Sequence, residues 1–195
     1  MPEPVEEALR RELERLPEEV RAHTERVLDE ALRLAARHGV DASKVGLAVL
    51  GHDLMRVTPR EELLRMAGEM GHEPNEAERA EPLLLHGRVA AALLRERSGV
   101  DDTEVLDAVR YHTTGRAGMS DVEKVVFLAD KTEPDELSHY PQWREVHDLA
   151  QDDLDAAMLR ALELYLERAR REGWTLHPDV VAAREYFLTR ARARP

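Results

Sequence analysis

The sequence predicts an all-α fold, a single-domain helical bundle, and three observations carry that expectation. Ala, Leu, Glu and Arg dominate the composition, and all four favour helix. No segment shows the period-two alternation of apolar and polar residues that marks a strand. Helix start signals recur, among them Thr58-Pro-Arg-Glu-Glu and the Ser120/Glu123 pair at capping-box spacing. The chain has 195 residues, enough for one domain with a sizeable core. Hydrophobic residues make up 43% and charged residues 35%, a globular balance rather than a disordered one. Aromatics are only 4%, so Leu, Val and Ala must build the core.

The elements follow in order. Residues 4 to 16 read as a charged amphipathic helix with Val5, Ala8, Leu13 and Leu16 on its apolar side. Pro17 interrupts it and suits the first position of a second helix. That helix carries Val20, Val27, Leu28, Ala31, Leu34 and Ala35 near helical spacing and stops at Gly39. His23 lies on or beside its stripe; taken alone it reads as a hydrogen-bonded histidine at the core edge. Asp41 is the cap of a third helix running to about Leu54. Its segment Gly46-Leu-Ala-Val-Leu-Gly-His-Asp-Leu54 is an apolar run ending in His52-Asp53. Imidazole and carboxylate side by side at the end of a buried segment can hold a metal, and an ionised carboxylate is costly to bury without a partner.

Thr58 is expected to cap the next helix, with Pro59 first, Glu61 and Glu62 in its first turn, and its end near Gly71. His72 sits in a polar loop and reads as solvated. Leu83-Leu-Leu-His86-Gly87 is a second apolar run ending in histidine, and Gly87 permits close approach of backbone or ligand. A local kink between helices explains the same residues equally well. Val89-Ala-Ala-Ala-Leu-Leu94 reads as buried helix. Asp101 or Asp102 starts the next helix, which ends at Tyr111-His112-Thr113-Thr114-Gly115-Arg116. Imidazole, hydroxyls, a glycine turn and a guanidinium can hold phosphate oxygens, although Gly115 also suits an ordinary helix terminus. Val122 to Ala129 is the most apolar helical segment and ends in Asp130, beside Lys131 as a candidate ion-pair partner. Pro134 closes it. Trp143, Val146 and Leu149 suggest a short helix, Asp153 to Arg171 a long one, and His177-Pro178-Asp179 opens a last helix to about Arg190. His177 reads as structural, and the basic run from Arg190 to Arg194 as solvated.

Composition excludes several functions. There is no cysteine, so disulfides and thiolate metal sites are ruled out and any metal must use His, Asp or Glu. The formal net charge of −12 argues against nucleic-acid binding. The acidic start Met1-Pro-Glu-Pro-Val-Glu-Glu has no signal-peptide pattern, and no apolar run approaches a membrane span. A soluble cytoplasmic protein with no membrane partner is expected. Oligomeric state is not readable from the sequence.

Taken together, His23, His52-Asp53, His86, Tyr111-His-Thr-Thr-Gly115, Leu128-Ala-Asp130 and Glu133-Pro134 resemble, in order and spacing, the HD superfamily of metal-dependent phosphohydrolases. Within it the chain is similar to the YqeK family, on the strength of Leu85-His-Gly87, Tyr-His-Thr-Thr-Gly-Arg116 and Ala-Asp-(two residues)-Glu-Pro134. The resemblance spans roughly residues 15 to 190. It implies an N-terminal helix over 1–16 and an HD-type domain over 17–195, with its core at about 18–135 and C-terminal helices at about 141–192. It also implies symmetric hydrolysis of dinucleoside tetraphosphates, diadenosine tetraphosphate giving two ADP. Iron is the divalent metal it implies; manganese, magnesium and zinc also suit such ligands.

Carried over residue by residue, the resemblance implies metal ligation by His23, His52, Asp53 and Asp130. His86 and His112 match positions in the phosphate and nucleotide pocket, and a second ion, where one binds, would use them. Asp53, His86, His112 and Arg56 are the implied catalytic residues. Arg56, His86, His112, Thr113, Thr114, Gly115, Arg116 and Lys131 are the implied contacts to a nucleotide polyphosphate. Three positions depart from the family pattern: Arg56 stands for a lysine, Arg88 for a proline after His-Gly, and Glu136 near a place where arginine is usual. The residues alone reach only metal-assisted hydrolysis of a phosphate ester or anhydride. Two other readings stand beside the implied one: an HD-type 5'-nucleotidase acting on mononucleotides, and a non-enzymatic helical interaction protein.

Overall fold

A computed structural model describes residues 4–193. Expectations that touch Met1, Pro2, Glu3 and Arg194 fall outside those residues. The described chain is helical with no strand, as its composition and period predict. Twelve α-helices follow one another: α1 Val5–Leu13, α2 Glu18–His38, α3 Ala42–His52, α4 Arg60–Glu69, α5 Glu76–Ala80, α6 His86–Ser98, α7 Thr103–Tyr111, α8 Asp121–Thr132, α9 Pro134–His139, α10 Trp143–Ala150, α11 Leu154–Glu172 and α12 Pro178–Ala193.

α8 is the centre of the bundle. Nine of its twelve residues are buried, which only an element covered on nearly all sides permits. α2, α3, α7, α10 and α11 all pack on it. α6 lies on α7, and α12 on α11. One hydrophobic core runs from Leu9 and Leu13 of α1 to Phe187 of α12 and is built mainly from Val, Leu and Ala. A satellite cluster of Leu63, Ala67, Leu85 and Val89 holds α4 against the start of α6.

Several caps act as the sequence predicts. Asp41 accepts from the Ser43 and Lys44 amides, Asp102 from Glu104 and Val105, and Ser120 and Glu123 form a reciprocal capping box. Each satisfies amides that the first turn leaves without partners.

Other expectations need correction. Thr58 does not cap α4: the helix starts at Arg60 after Pro59, and the Thr58 hydroxyl faces the Met55 sulfur at 4.0 Å. His72 is not solvated, because its Nε2 meets Glu78 Oε2 at 2.9 Å. The Leu83–Leu85 run is a 3-10 turn, and His86 begins α6 rather than ending a helix. Asp130 lies inside α8, and Pro134 opens α9 rather than closing a segment. Arg190 is not a free tail residue: its Nε meets the buried Asp155 carboxylate at 2.8 Å, where Lys124 of α8 also binds. That pairing ties α8, α11 and α12 together.

Candidate metal centre

His23 of α2, His52 and Asp53 at the end of α3, His86 opening α6, His112 after α7 and Asp130 of α8 converge on one point inside the bundle. Their side chains form two trios whose candidate ligand atoms lie within 4.8 Å of one another: His23, His52 and Asp130, and Asp53, His86 and His112. Asp53 faces both. Its Oδ1 lies 3.0 Å from His86 Nε2 and 3.6 Å from His112 Nε2, and its Oδ2 lies 3.7 Å from His52 Nε2 and 3.9 Å from His23 Nε2.

Backbone geometry fixes the direction of three of these rings. His52 Nδ1 donates to the Val49 carbonyl at 2.6 Å, His86 Nδ1 to Leu83 at 2.6 Å, and His112 Nδ1 to Val109 at 2.7 Å. A carbonyl only accepts, so each Nδ1 carries a proton and each Nε2 is turned inward; that of His86 meets the Asp53 carboxylate at 3.0 Å. Burial holds His112 neutral, with its pKa pushed down to about 4 against the partial opposition of Asp53. The Nε2 atoms of His86 and His112 are 2.9 Å apart beside Asp53, a close approach that a shared proton or a bound cation satisfies. His52 Nε2 is buried and has no hydrogen-bond partner among the described residues; Asp53 Oδ2 and Asp130 Oδ1 face it from 3.7 and 3.9 Å. An imidazole whose Nδ1 is tied to a carbonyl while its Nε2 is bare is oriented as a metal ligand. The donor set of imidazole and carboxylate, without thiolate, fits a divalent ion.

His23 is oriented differently. Its Nε2 meets Asp130 Oδ1 at 3.0 Å and its Nδ1 meets Glu133 Oε1 at 3.3 Å. Burial works against its charge, but Asp130, Asp53 and Glu133 outweigh that and raise its pKa to about 9. Glu133 is fully buried and is itself gripped by Arg26, Nε to Oε2 at 2.8 Å and Nη2 to Oε1 at 3.1 Å. Arg26 and Glu133 each sit one helical turn after a site residue, His23 and Asp130, and sequence reading gave neither a role. Burial pushes the carboxyls of Asp53 and Asp130 up. His52, His112 and His86 hold Asp53 well below the usual range, and Lys131, His23 and His52 do the same for Asp130.

The remaining site residues divide. Thr113 reaches the cluster, with its hydroxyl 3.1 Å from His112 Nε2. Lys131 pairs with Asp130 and reaches the His112 carbonyl at 3.4 Å. Arg56 stands at the mouth, 3.8 Å from Asp53 Oδ2 and 44% exposed. Thr114 is buried and its hydroxyl donates to the Gly115 carbonyl. Gly115 takes a left-handed φ of 66° where a Cβ would touch Met119, Ala183 and Met158. Arg116 is held by Glu123 at 2.7 and 2.6 Å, with Asp107 at 3.5 Å, and lies over the Tyr111 ring. Thr114, Gly115 and Arg116 thus shape the loop from behind and meet the core rather than the cluster. Gly87 is required by backbone approach, since a Cβ there would lie 2.6 Å from the Val109 carbonyl and 3.0 Å from His112 Nδ1. Arg88 turns away, toward Glu78 at 3.9 Å.

Residues 20–135 match the family model of the HD domain. The chain is 34% identical to the symmetrical bis(5'-nucleosyl)-tetraphosphatase of Bacillus subtilis over 94% of its length and 97% of that protein's. It is 32% identical to the protein of the same name from Halalkalibacterium halodurans, over 85% of this chain and 87% of that one. It also superposes on the crystal structure of a predicted HD superfamily hydrolase involved in NAD metabolism from Clostridium acetobutylicum. The TM-score is 0.87 at 31% identity, covering 95% of this chain and 96% of that one. The chain belongs to the HD domain family, in the branch that contains the symmetrical bis(5'-nucleosyl)-tetraphosphatases.

Proposed function

We propose that the chain is a metal-dependent phosphohydrolase that cleaves dinucleoside tetraphosphates at the central anhydride, so that diadenosine tetraphosphate and one water give two ADP. The observation that carries this reading is the buried His52 Nε2, without a hydrogen-bond partner among the described residues, facing the Asp53 and Asp130 carboxylates with the His23 and His112 rings beside it. Relatives that share nearly the whole chain are named for the same reaction. His23, His52, Asp53 and Asp130 are the proposed ligands of one divalent ion, with iron the metal we favour. A second ion would be held by His86 and His112.

A divalent ion held here supplies Lewis acidity, lowering the pKa of a water toward neutrality and offsetting phosphate charge. Asp53, kept ionised by the surrounding histidines, is the proposed contact to both the ion and the attacking water, accepting a hydrogen bond from that water. Where no second ion binds, His86 and His112 would donate to phosphate oxygens. Arg56 donates to phosphate oxygens at the mouth, where charge grows on the departing ADP. Lys131 adds charge while holding Asp130 in place. Glu133, backed by Arg26, fixes the His23 ring. The remaining residues of the Thr114–Arg116 turn act by presenting His112 and Thr113 rather than by contact. Within this reading the enzyme works in the cytoplasm; no helix among the described residues is long and apolar enough to cross a membrane.

The test is product analysis after incubation with diadenosine tetraphosphate. ADP as the only nucleotide product is expected. ATP plus AMP would contradict the symmetric cleavage, and phosphate released from AMP without ADP formation would move the assignment to a nucleotidase.

A further inference from the structure

The chain has only eight aromatic residues, two Trp, four Tyr and two Phe. Four of them line a single cleft of about 750 Å³: Tyr140, Trp143, Tyr165 and Trp174. Its inner end is formed by Arg56, Thr113 and Lys131, the side chains that also reach Asp53, His112 and Asp130. The cleft therefore opens directly from the cluster. Its size falls in the range of small-molecule sites.

The outer wall comes from α11 and from the residues flanking α9, α10 and α11, beyond the span matched by the HD domain model. There the Arg168 guanidinium carbon lies 5.6 Å from the Tyr140 ring centroid and 5.1 Å from that of Trp174. Trp174 in turn lies 6.1 Å from Tyr165. Trp174 is 43% exposed and Tyr140 37%. A chain poor in aromatics thus leaves two large rings open to solvent at the rim of its own site, with a planar cation between them. Aromatic faces and guanidinium planes are the surfaces on which nucleobases stack.

We propose that Tyr140, Arg168 and Trp174 form the nucleoside subsite for one half of the substrate, stacking its base while Arg56 and Lys131 hold the phosphates. This rests on the dinucleotide-hydrolase reading above. Stacking reads the face of a base rather than its edge, so the subsite accepts adenine and guanine alike.

Both tryptophans line the cleft, so intrinsic fluorescence reports on it, and Trp143→Phe leaves Trp174 as the single reporter. That protein is titrated with ADP, with GDP and with pyrophosphate as a base-free probe. Quenching by ADP and GDP but not by pyrophosphate is expected. By isothermal titration calorimetry, Trp174→Ala should weaken ADP binding by roughly tenfold with pyrophosphate binding unchanged, and Trp174→Phe should restore most of the loss. An equal response to ADP and pyrophosphate, or unchanged ADP affinity in Trp174→Ala, overturns the proposal. Turnover of diadenosine tetraphosphate by the same proteins separates the two readings. Base-dependent quenching without ADP formation would keep the subsite and reject the reaction; ADP formation without base-dependent quenching would do the reverse.

Discussion

Two buried clusters of histidine and carboxylate lie in this molecule, and they differ in how their valences are filled. In the clamp between α5 and α12, Glu78 Oε2 accepts from the Asn75 amide and faces His72 Nε2. His177 Nδ1 accepts from the Asp179 amide, and its Nε2 lies 3.4 Å from Glu78 Oε1. None of these side chains has a buried nitrogen or oxygen without a partner. In the cluster around Asp53, three rings spend Nδ1 on carbonyls, two Nε2 atoms face each other, and the third is bare. Residue types alone do not separate a metal site from a structural clamp. The difference is that one cluster fills its own valences and the other leaves a buried ring nitrogen, His52 Nε2, turned to two carboxylates.

The sharpest way to break this comparison is to remove one carboxylate from each cluster. Asp53→Ala should lower turnover of diadenosine tetraphosphate by about a thousandfold or more while leaving the helical content measured by circular dichroism intact. Glu78→Ala should do the opposite. It strands two histidines in a buried clamp and should cost about 3 kcal/mol in urea unfolding, with kcat of the folded protein unchanged. A Glu78→Ala protein that is stable but inactive would erase the distinction.

A subtler variant probes the shell behind the ligands. Glu133→Gln should weaken metal affinity roughly 10- to 100-fold in competition with a chelator, because the His23 ring loses its carboxylate partner. Unchanged affinity would remove Glu133 from the account. The smallest effect concerns acid. Burial pushes Glu78 up, but His177, the Asn75 backbone and His72 outweigh it and lower its pKa from 4.5 to about 2. The stabilisation is therefore present above pH 4.5 and lost as pH falls toward 2. Between those values the stability of Glu78→Gln, followed by urea titration, should fall less steeply than that of the wild type.

Much of this was legible in the sequence where one segment carried the whole signal. The buried helix that ends in His52 needed only its own apolar composition, and Ser120 with Glu123 only its spacing. Reading failed where a side chain chose between local and distant partners. Thr58 had the right type and position for a cap, yet its hydroxyl turned to Met55. Arg190 reads as a free tail until Asp155 appears beside it, and the ion pair of Arg116 with Glu123 had no local pattern to announce it. Glu133 left a signal that could have been used: it follows Asp130 by one turn, as Arg26 follows His23, and the two meet across α2 and α8. The aromatic cleft left none, because Tyr140, Tyr165 and Trp174 belong to separate elements and meet only in the fold.

Metal analysis of purified, reconstituted protein tests the central claim most directly. Wild type, Asp53→Ala and Glu78→Gln are compared, with ADP production measured on the same samples. The account predicts a divalent metal and ADP formation in wild type and Glu78→Gln, and loss of both in Asp53→Ala. A wild-type protein that takes up neither iron nor manganese, or an Asp53→Ala protein that keeps its metal and its turnover, would contradict it.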